Sequence, residues 1–292
     1  MHAYDKQGNP VYEVPTKPGA KNPTRPTEVR DMIALDLVPS VTEVDKAICK
    51  NTFLDKWLRE QIGLWAYENR PEPDESAEEY AARAMQGGSE KGFKAADKGT
   101  LIHDAIEHYL INGEWPDCDI SIHGYFTYAE RFISDHFDRF IAAEKAIASV
   151  ELGVGGKVDC VADSHIGDGE PRRTIFDWKT QDVKWKKLKA GPVKNPAFYD
   201  SWPRQLALYS AMDFLDRTGG MESHFALLIA NHPEEVIGNL PRIVSVVIDS
   251  NEPCDFTYKV WSRDEQMKAL GQMLCFVRAF HALKFKPKGC VL

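Results

Sequence analysis

The chain has 292 residues, 43% of them hydrophobic and 27% charged, and a formal net charge of -8. That balance belongs to a globular protein of one catalytic-size domain with additions, and with no apolar run of about 18 residues it argues against a membrane-spanning helix. The acidic total counts, at first sight, against a nucleic-acid partner, because neutralising phosphates takes Lys and Arg.

The N-terminal "MHAYDKQGNPVYEVP" has neither a basic n-region nor an apolar h-region, so it does not read as a secretory signal, and the expected location is the cytoplasm. Residues 1–39 are rich in Pro, Gly and Lys with little periodicity, and read as an extended, partly ordered arm ahead of a single domain over 40–292. Ser40 followed by Glu43 fits a capping box, after which Val44, Ile48, Leu54, Trp57 and Leu58 keep helical spacing. The acidic stretch 68–80 reads as a solvated helix entry or loop. "GTLIHDAIEHYLING" predicts a helix opening near Gly99 or Thr100 and stopping at Asn112 and Gly113.

From Ile122 through Phe126, Phe132 and Phe137 to Ile141, apolar residues recur every three or four positions, which predicts a second helix over 122–143. The period then changes. "KAIASVEL", "GKVDCVADS" and "RTIFDWKT" read as three strands, with "GDGE" in the turn joining the last two. "SWPRQLALYSAMDFL" returns to helical spacing with Pro203 in the first turn, "HFALLIA" and "RIVSVVID" read as strands, and "SRDEQMKALGQMLCFVRAFHAL" closes as a helix. Helix, helix, three strands, helix, two strands and helix predict an α/β fold, a mixed central sheet flanked by helices.

Four constellations bear on chemistry. Asp177 and Lys179 share one face at the end of an apolar strand, where a charge is costly unless something needs it; a simple ion pair between them is the plain alternative. A second triplet, Asp182 to Lys184, lies in polar surroundings and serves as a decoy. Asp159, between Val158 and Val161 in the neighbouring strand, can lie beside Asp177, and two close carboxylates call for a cation such as Mg²⁺; a hydrogen-bonded Asp near Gly155 and Gly156 is its alternative. His103 and Glu107 share a helix face, as do Gln205 and Tyr209, and both pairs are also compatible with a structural role.

The overall charge conceals a local surplus. From Arg172 to Lys194, eight basic residues stand against two acids, so the segment carries +6 and the remainder -14. Lys184, Trp185, Lys186, Lys187 and Lys189 within it combine positive charge with an aromatic, the pairing that tracks a nucleic-acid strand.

In order and spacing, "GTLIHDAIEHYL", Glu144, "GGKVDCVAD", "IFDWKT" and "QLALY" resemble the PD-(D/E)xK nuclease superfamily, specifically the RecB-type exonuclease domains found in mitochondrial and phage exonucleases. The likeness spans about residues 40–215, with the motifs between about 97 and 215. It implies a restriction-endonuclease-like core and a metal-dependent DNA exonuclease acting in recombination, repair or replication. Carried over, His103, Asp159 and Asp177 are metal ligands for Mg²⁺ or Mn²⁺, Lys179 is the catalytic lysine, and Gln205 and Tyr209 support substrate and lysine placement. Glu144 matches an acidic position ahead of the GxxD strand, and the role of Glu107 is open. The implied substrate is single-stranded DNA or DNA ends, and a recombination partner protein fits the same context.

Two departures stand out. Cys254, Cys275 and Cys290 are too dispersed for the clustered trio that holds an iron-sulfur centre in some members, so no such cluster is expected, and the six cysteines, lacking any C-x-x-C, read as free thiols. The C-terminal 75 residues match no motif. Two rival readings stay open: a catalytically silent DNA-binding or recombination-assembly protein on the same fold, and an HD-type phosphohydrolase, suggested by adjacent His103 and Asp104.

Overall fold

Residues 1–39 are folded against the body of the protein. The computed structural model describes residues 1–49, 52–188, 191–218 and 238–290. Within the arm, β1 (Ala3–Tyr4) pairs with β4 (Val38–Pro39), β2 (Glu13–Pro15) pairs with β3 (Thr24–Pro26), and α1 (Val29–Leu35) buries Met32 against Ala3 and Leu37. Tyr4, Val14 and Met32 are the anchors, too widely spaced to register as a periodic pattern.

Ser40 caps α2 (Val41–Ile48), its Oγ accepting the Glu43 N–H at 3.1 Å. The expected helical spacing is then divided, because α2 ends at Ile48 and α3 (Thr52–Glu68) follows as a separate helix. The next helix starts far earlier than Gly99: α4 (Ala77–Asn112) runs 36 residues from a capping box made by Ser76 and Glu79. Gly87 and Gly88 depress its helical signal in the sequence; they are small because Trp65 and Ile62 of α3 occupy the space a Cβ would need.

The helix expected over 122–143 is corrected. A 3₁₀ turn (Ile120–Tyr125) leads into α5 (Phe126–His136), and from Phe137 the chain is strand β5 (Phe137–Ser149). Register shifts between Phe137 and Arg139, and again between Phe140 and Ala142, account for the difference. Each bulge inserts a residue, so a three-residue spacing returns to the same face and imitates a helix. Phe137 and Phe140 accordingly pack into one core.

β5 is the edge of a five-stranded mixed sheet with β6 (Val154–Ser164), β7 (Arg172–Gln181), β10 (Arg242–Asp249) and β11 (Thr257–Val260), in the order β11-β10-β7-β6-β5. Among the described strands of this sheet, only β7 and β10 pair in parallel. Between β7 and β10 come the hairpin β8 (Lys184–Leu188) and β9 (Gly191–Asn195), and α6 (Ser201–Thr218); α7 (Arg263–Leu283) closes the chain with Ser262 as its cap. Residues 224–230, read as a strand, lie outside the described residues.

The sheet has a core on each face. One joins Ile175 and Val247 to Leu206 of α6 and Leu270 of α7; the other joins Phe176, Trp178 and Val246 to Ile102 and Ile106 of α4 and Phe132 of α5. The expected α/β fold, a mixed sheet flanked by helices, is the one observed. Among the described residues no helix is long and apolar enough to cross a membrane.

Candidate functional site

The backbone ladder between β6 and β7 stops at Cys160 opposite Phe176. The next residues toward the open end are Asp159 and Asp177, and there a side chain takes over from the backbone: the Trp178 N–H donates to Asp159 Oδ2 at 2.9 Å. Asp177 is 2% exposed. Its Oδ1 accepts from Lys179 Nζ at 2.6 Å, while its Oδ2 is buried with no hydrogen-bond partner. Both carboxyls are pushed up by burial, that of Asp177 to about 6. Burial works against the Lys179 charge too, but Asp177 and Asp159 outweigh it and hold the ammonium above its ordinary range.

α4 brings His103 to this cluster. Its Nε2 is, with Asp177 Oδ2, the other buried side-chain atom without a partner among the described residues, and the ring feels the charges of Lys179 and Asp177. Burial, reinforced by Lys179, pushes its pKa down to about 4, so the imidazole is neutral at pH 7 with a lone pair to offer. Gly99, one turn earlier, lets α4 approach β7 closely, since a Cβ there would overlap the Thr180 hydroxyl.

Glu107 is pushed up by burial and feels the charge of Lys157. Lys157 forms an ion pair with Glu144. Glu144 has φ 50° in the middle of β5, a left-handed conformation that costs a non-glycine residue about 1–3 kcal/mol. The β5–β6 register, with Ala143 opposite Cys160 and Lys145 opposite Val158, sets Glu144 across from Asp159. Sequence reasoning missed Lys157; its position two residues before Asp159, on the same strand face, was the available signal.

From α6, Gln205 Nε2 donates to the buried Tyr209 hydroxyl at 3.2 Å. Burial raises the Tyr209 pKa, with Asp159 and Asp177 adding to it. Its ring fills the space a Cβ at Gly156 would occupy, while Tyr4 of the N-terminal arm presses on Gly155. The paired glycines thus accept two tyrosines. Tyr4, which donates to or accepts from Tyr12 Oη at 2.7 Å, is a neighbour that the sequence did not reveal.

The basic segment is less of a surplus in space than along the chain. Arg172 meets Asp168, Arg173 meets Asp213, and Lys194 meets Asp249 at 2.7 Å and Glu252 at 3.0 Å, all acids from outside it. Lys184 pairs with Asp182, which explains the decoy triplet as an exposed ion pair. Lys186 is exposed, and Trp185 is 60% exposed with Lys194 Nζ 5.6 Å from its ring centre. The Lys187 side chain and all of Lys189 lie outside the described residues.

His103, Asp159, Asp177 and Lys179 are therefore brought together, with Glu107, Glu144 and Lys157 beside them and Tyr209 behind. Among the described residues no three His, Cys, Asp or Glu side chains already close around one point as a metal cage. The donor set nevertheless fits a divalent cation, since a neutral imidazole nitrogen and a carboxylate oxygen are buried without partners next to a second carboxylate. A shallow cleft of about 550 Å³ lined by Glu72, Glu79 and Gln86 shares no residue with this cluster. No protein-family model matches the chain, and no curated protein does.

Proposed function

We propose that the chain is a metal-dependent deoxyribonuclease of the PD-(D/E)xK type, an exonuclease hydrolysing phosphodiester bonds of DNA in recombination, repair or replication. The observation that carries this reading is the pair of orphaned buried atoms, His103 Nε2 and Asp177 Oδ2, in a cluster with Asp159 and Lys179. Leaving such atoms unsatisfied costs about 1–3 kcal/mol each, a cost that a ligand would remove.

His103, Asp159 and Asp177 would hold Mg²⁺ or Mn²⁺, and the imidazole makes the site friendlier to Mn²⁺ than an all-oxygen site would be. When bound, the ion supplies Lewis-acid polarisation of a phosphate and a water of lowered pKa. Lys179, anchored on Asp177, orients the attacking water and balances charge gathering on the phosphate oxygens. Tyr209 and Gln205 hold the β6 end of the site in shape. The β8–β9 hairpin, with Lys184 and Lys186 exposed, supports a DNA contact.

A silent DNA-binding protein is the second reading, favoured by the ready ion pair between Lys179 and Asp177. It leaves the two orphaned atoms unexplained. An HD-type phosphohydrolase needs its acids on helices, whereas Asp159 and Asp177 stand on β6 and β7. End-labelled single- and double-stranded DNA incubated with and without Mg²⁺ or Mn²⁺ tests the proposal. Metal-dependent shortening lost in Asp177→Asn supports it; intact DNA under every condition rejects it.

A further inference from the structure

Lys157 lies on β6 two residues before Asp159, half exposed, with its ammonium against Glu144. Glu144 holds a left-handed backbone within β5, between Ala143 and Lys145, which pair with Cys160 and Val158 on either side of Asp159. Glu107, one helical turn beyond His103 on α4, feels the Lys157 charge as well, and α4 packs on both β5 and β7. The acids thus divide into two pairs. Asp159 and Asp177 share Lys179, and Glu107 and Glu144 share Lys157, whose charge also reaches Asp159 from two residues away.

The charge count follows from that division. Counted formally, the four carboxylates and two ammonium groups leave a charge of -2, with the exposed Asp104 outside the cluster. One divalent cation balances it, and a second would leave the cluster as positive as it had been negative. Lys157 also stands on the very carboxylate that a second ion would need. From this geometry, and resting on the metal reading of the site, we infer that Lys157 is a built-in cation that limits the site to a single divalent ion. It does so by occupying the Glu107–Glu144 side, leaving His103, Asp159 and Asp177 to the ion. The orphaned atoms lie on the His103 and Asp177 side, which is where that one ion belongs.

The test is the number of Mn²⁺ ions bound per chain, measured by isothermal titration and by native mass spectrometry without DNA. Wild type binds one ion, and Asp177→Asn loses it. Lys157→Met keeps the aliphatic stem, removes the charge and binds two, while Lys157→Met with Glu144→Gln returns to one. Lys157→Arg keeps the charge and stays at one, which covers the case in which Lys157→Met does not fold. Two ions in wild type, one in a folded Lys157→Met, or two in Lys157→Arg would each overturn the inference while leaving the metal site standing. No ion in wild type would remove the metal reading, and this inference with it.

Discussion

Asp159 Oδ2 accepts the Trp178 backbone N–H at 2.9 Å, standing in for the carbonyl that the β6–β7 ladder no longer supplies. The carboxylate therefore has a structural duty besides any chemistry. Asp159→Asn keeps an oxygen acceptor and drops a buried charge, so its stability should match or exceed wild type. Asp159→Ala leaves a buried N–H without a partner and should fall below Asp159→Asn by about 1–3 kcal/mol in urea denaturation. Both should lose DNA cleavage. Equal stability of the two variants would remove the structural duty.

Asp177→Ala and Lys179→Ala are each expected to lower cleavage by about 100-fold or more, since each removes a group aimed at the reacting centre. Lys179→Ala should be assayed with the divalent ion present, which offsets the lost ammonium. Asp182→Ala and Lys184→Ala, an exposed pair, should cleave at the wild-type rate. Single-turnover rates with circular dichroism as the folding check decide this, and an essential Asp182 would move the chemistry from Asp177 to the residues just past β7.

Much of this site was legible because strand alternation is local. A run such as "RTIFDWKT" needs no partner to show that Asp177 and Lys179 share a face, and β7 and β10 occur where the apolar runs placed them. Helix α7 likewise announced itself through its cap and period. What the sequence hid was non-local. Bulges in β5 mimicked a helix, Gly87 and Gly88 concealed the first half of α4, and acids distant in sequence neutralise Arg173 and Lys194. Tyr4 reaches Gly155 from the far end of the chain, which no window of the sequence contains.

The metal-free protein should show a pH signature in EDTA. Burial raises the Asp177 carboxyl to about 6 from its ordinary 3.8, so its contribution to stability is complete below 3.8 and lost as pH rises through 6. His103 runs the other way: lowered to about 4 from 6.5, its contribution is complete above 6.5 and lost as pH falls through 4. Asp177→Asn removes the first effect and leaves Asp159 to pair with Lys179. It should exceed wild type by on the order of 1–3 kcal/mol at pH 7, with the gap closing toward pH 4. Lys179→Met leaves two carboxylates uncompensated and should lose about 3–5 kcal/mol at pH 7. Denaturation curves from pH 4 to 7 check both signs, and a less stable Asp177→Asn at pH 7 would contradict the argument.

Gly156→Ala would drive a methyl group into the buried Tyr209 ring, a rigid neighbour that has to move. The expected cost is about 1–3 kcal/mol of stability, with a loss of cleavage. Adding Tyr209→Leu should relieve the overlap and recover stability without recovering cleavage. Recovery of both would make Tyr209 packing alone.

The last expectation separates binding from chemistry. Arg172, Arg173 and Lys194 are held by Asp168, Asp213 and Asp249, whereas the Lys184–Asp182 pair is exposed and open to exchange for a phosphate, so attraction for phosphate is expected from lysines 184, 186, 187 and 189. Replacing these four with Ala should weaken DNA binding and flatten its salt dependence, by about 0.7–0.9 in slope for each phosphate that a lysine no longer neutralises. Single-turnover cleavage at saturating DNA should barely change, because Asp177 and Lys179 are untouched. Lys194→Ala is the informative contrast. Its ammonium ties the hairpin to Asp249 and Glu252 and sits under Trp185, so its loss should lower stability while leaving the slope nearly intact. Affinities across a salt series for wild type, the fourfold variant and Lys194→Ala check this. Identical slopes in wild type and the fourfold variant would make the hairpin a solvated ribbon and send the DNA path elsewhere on the molecule.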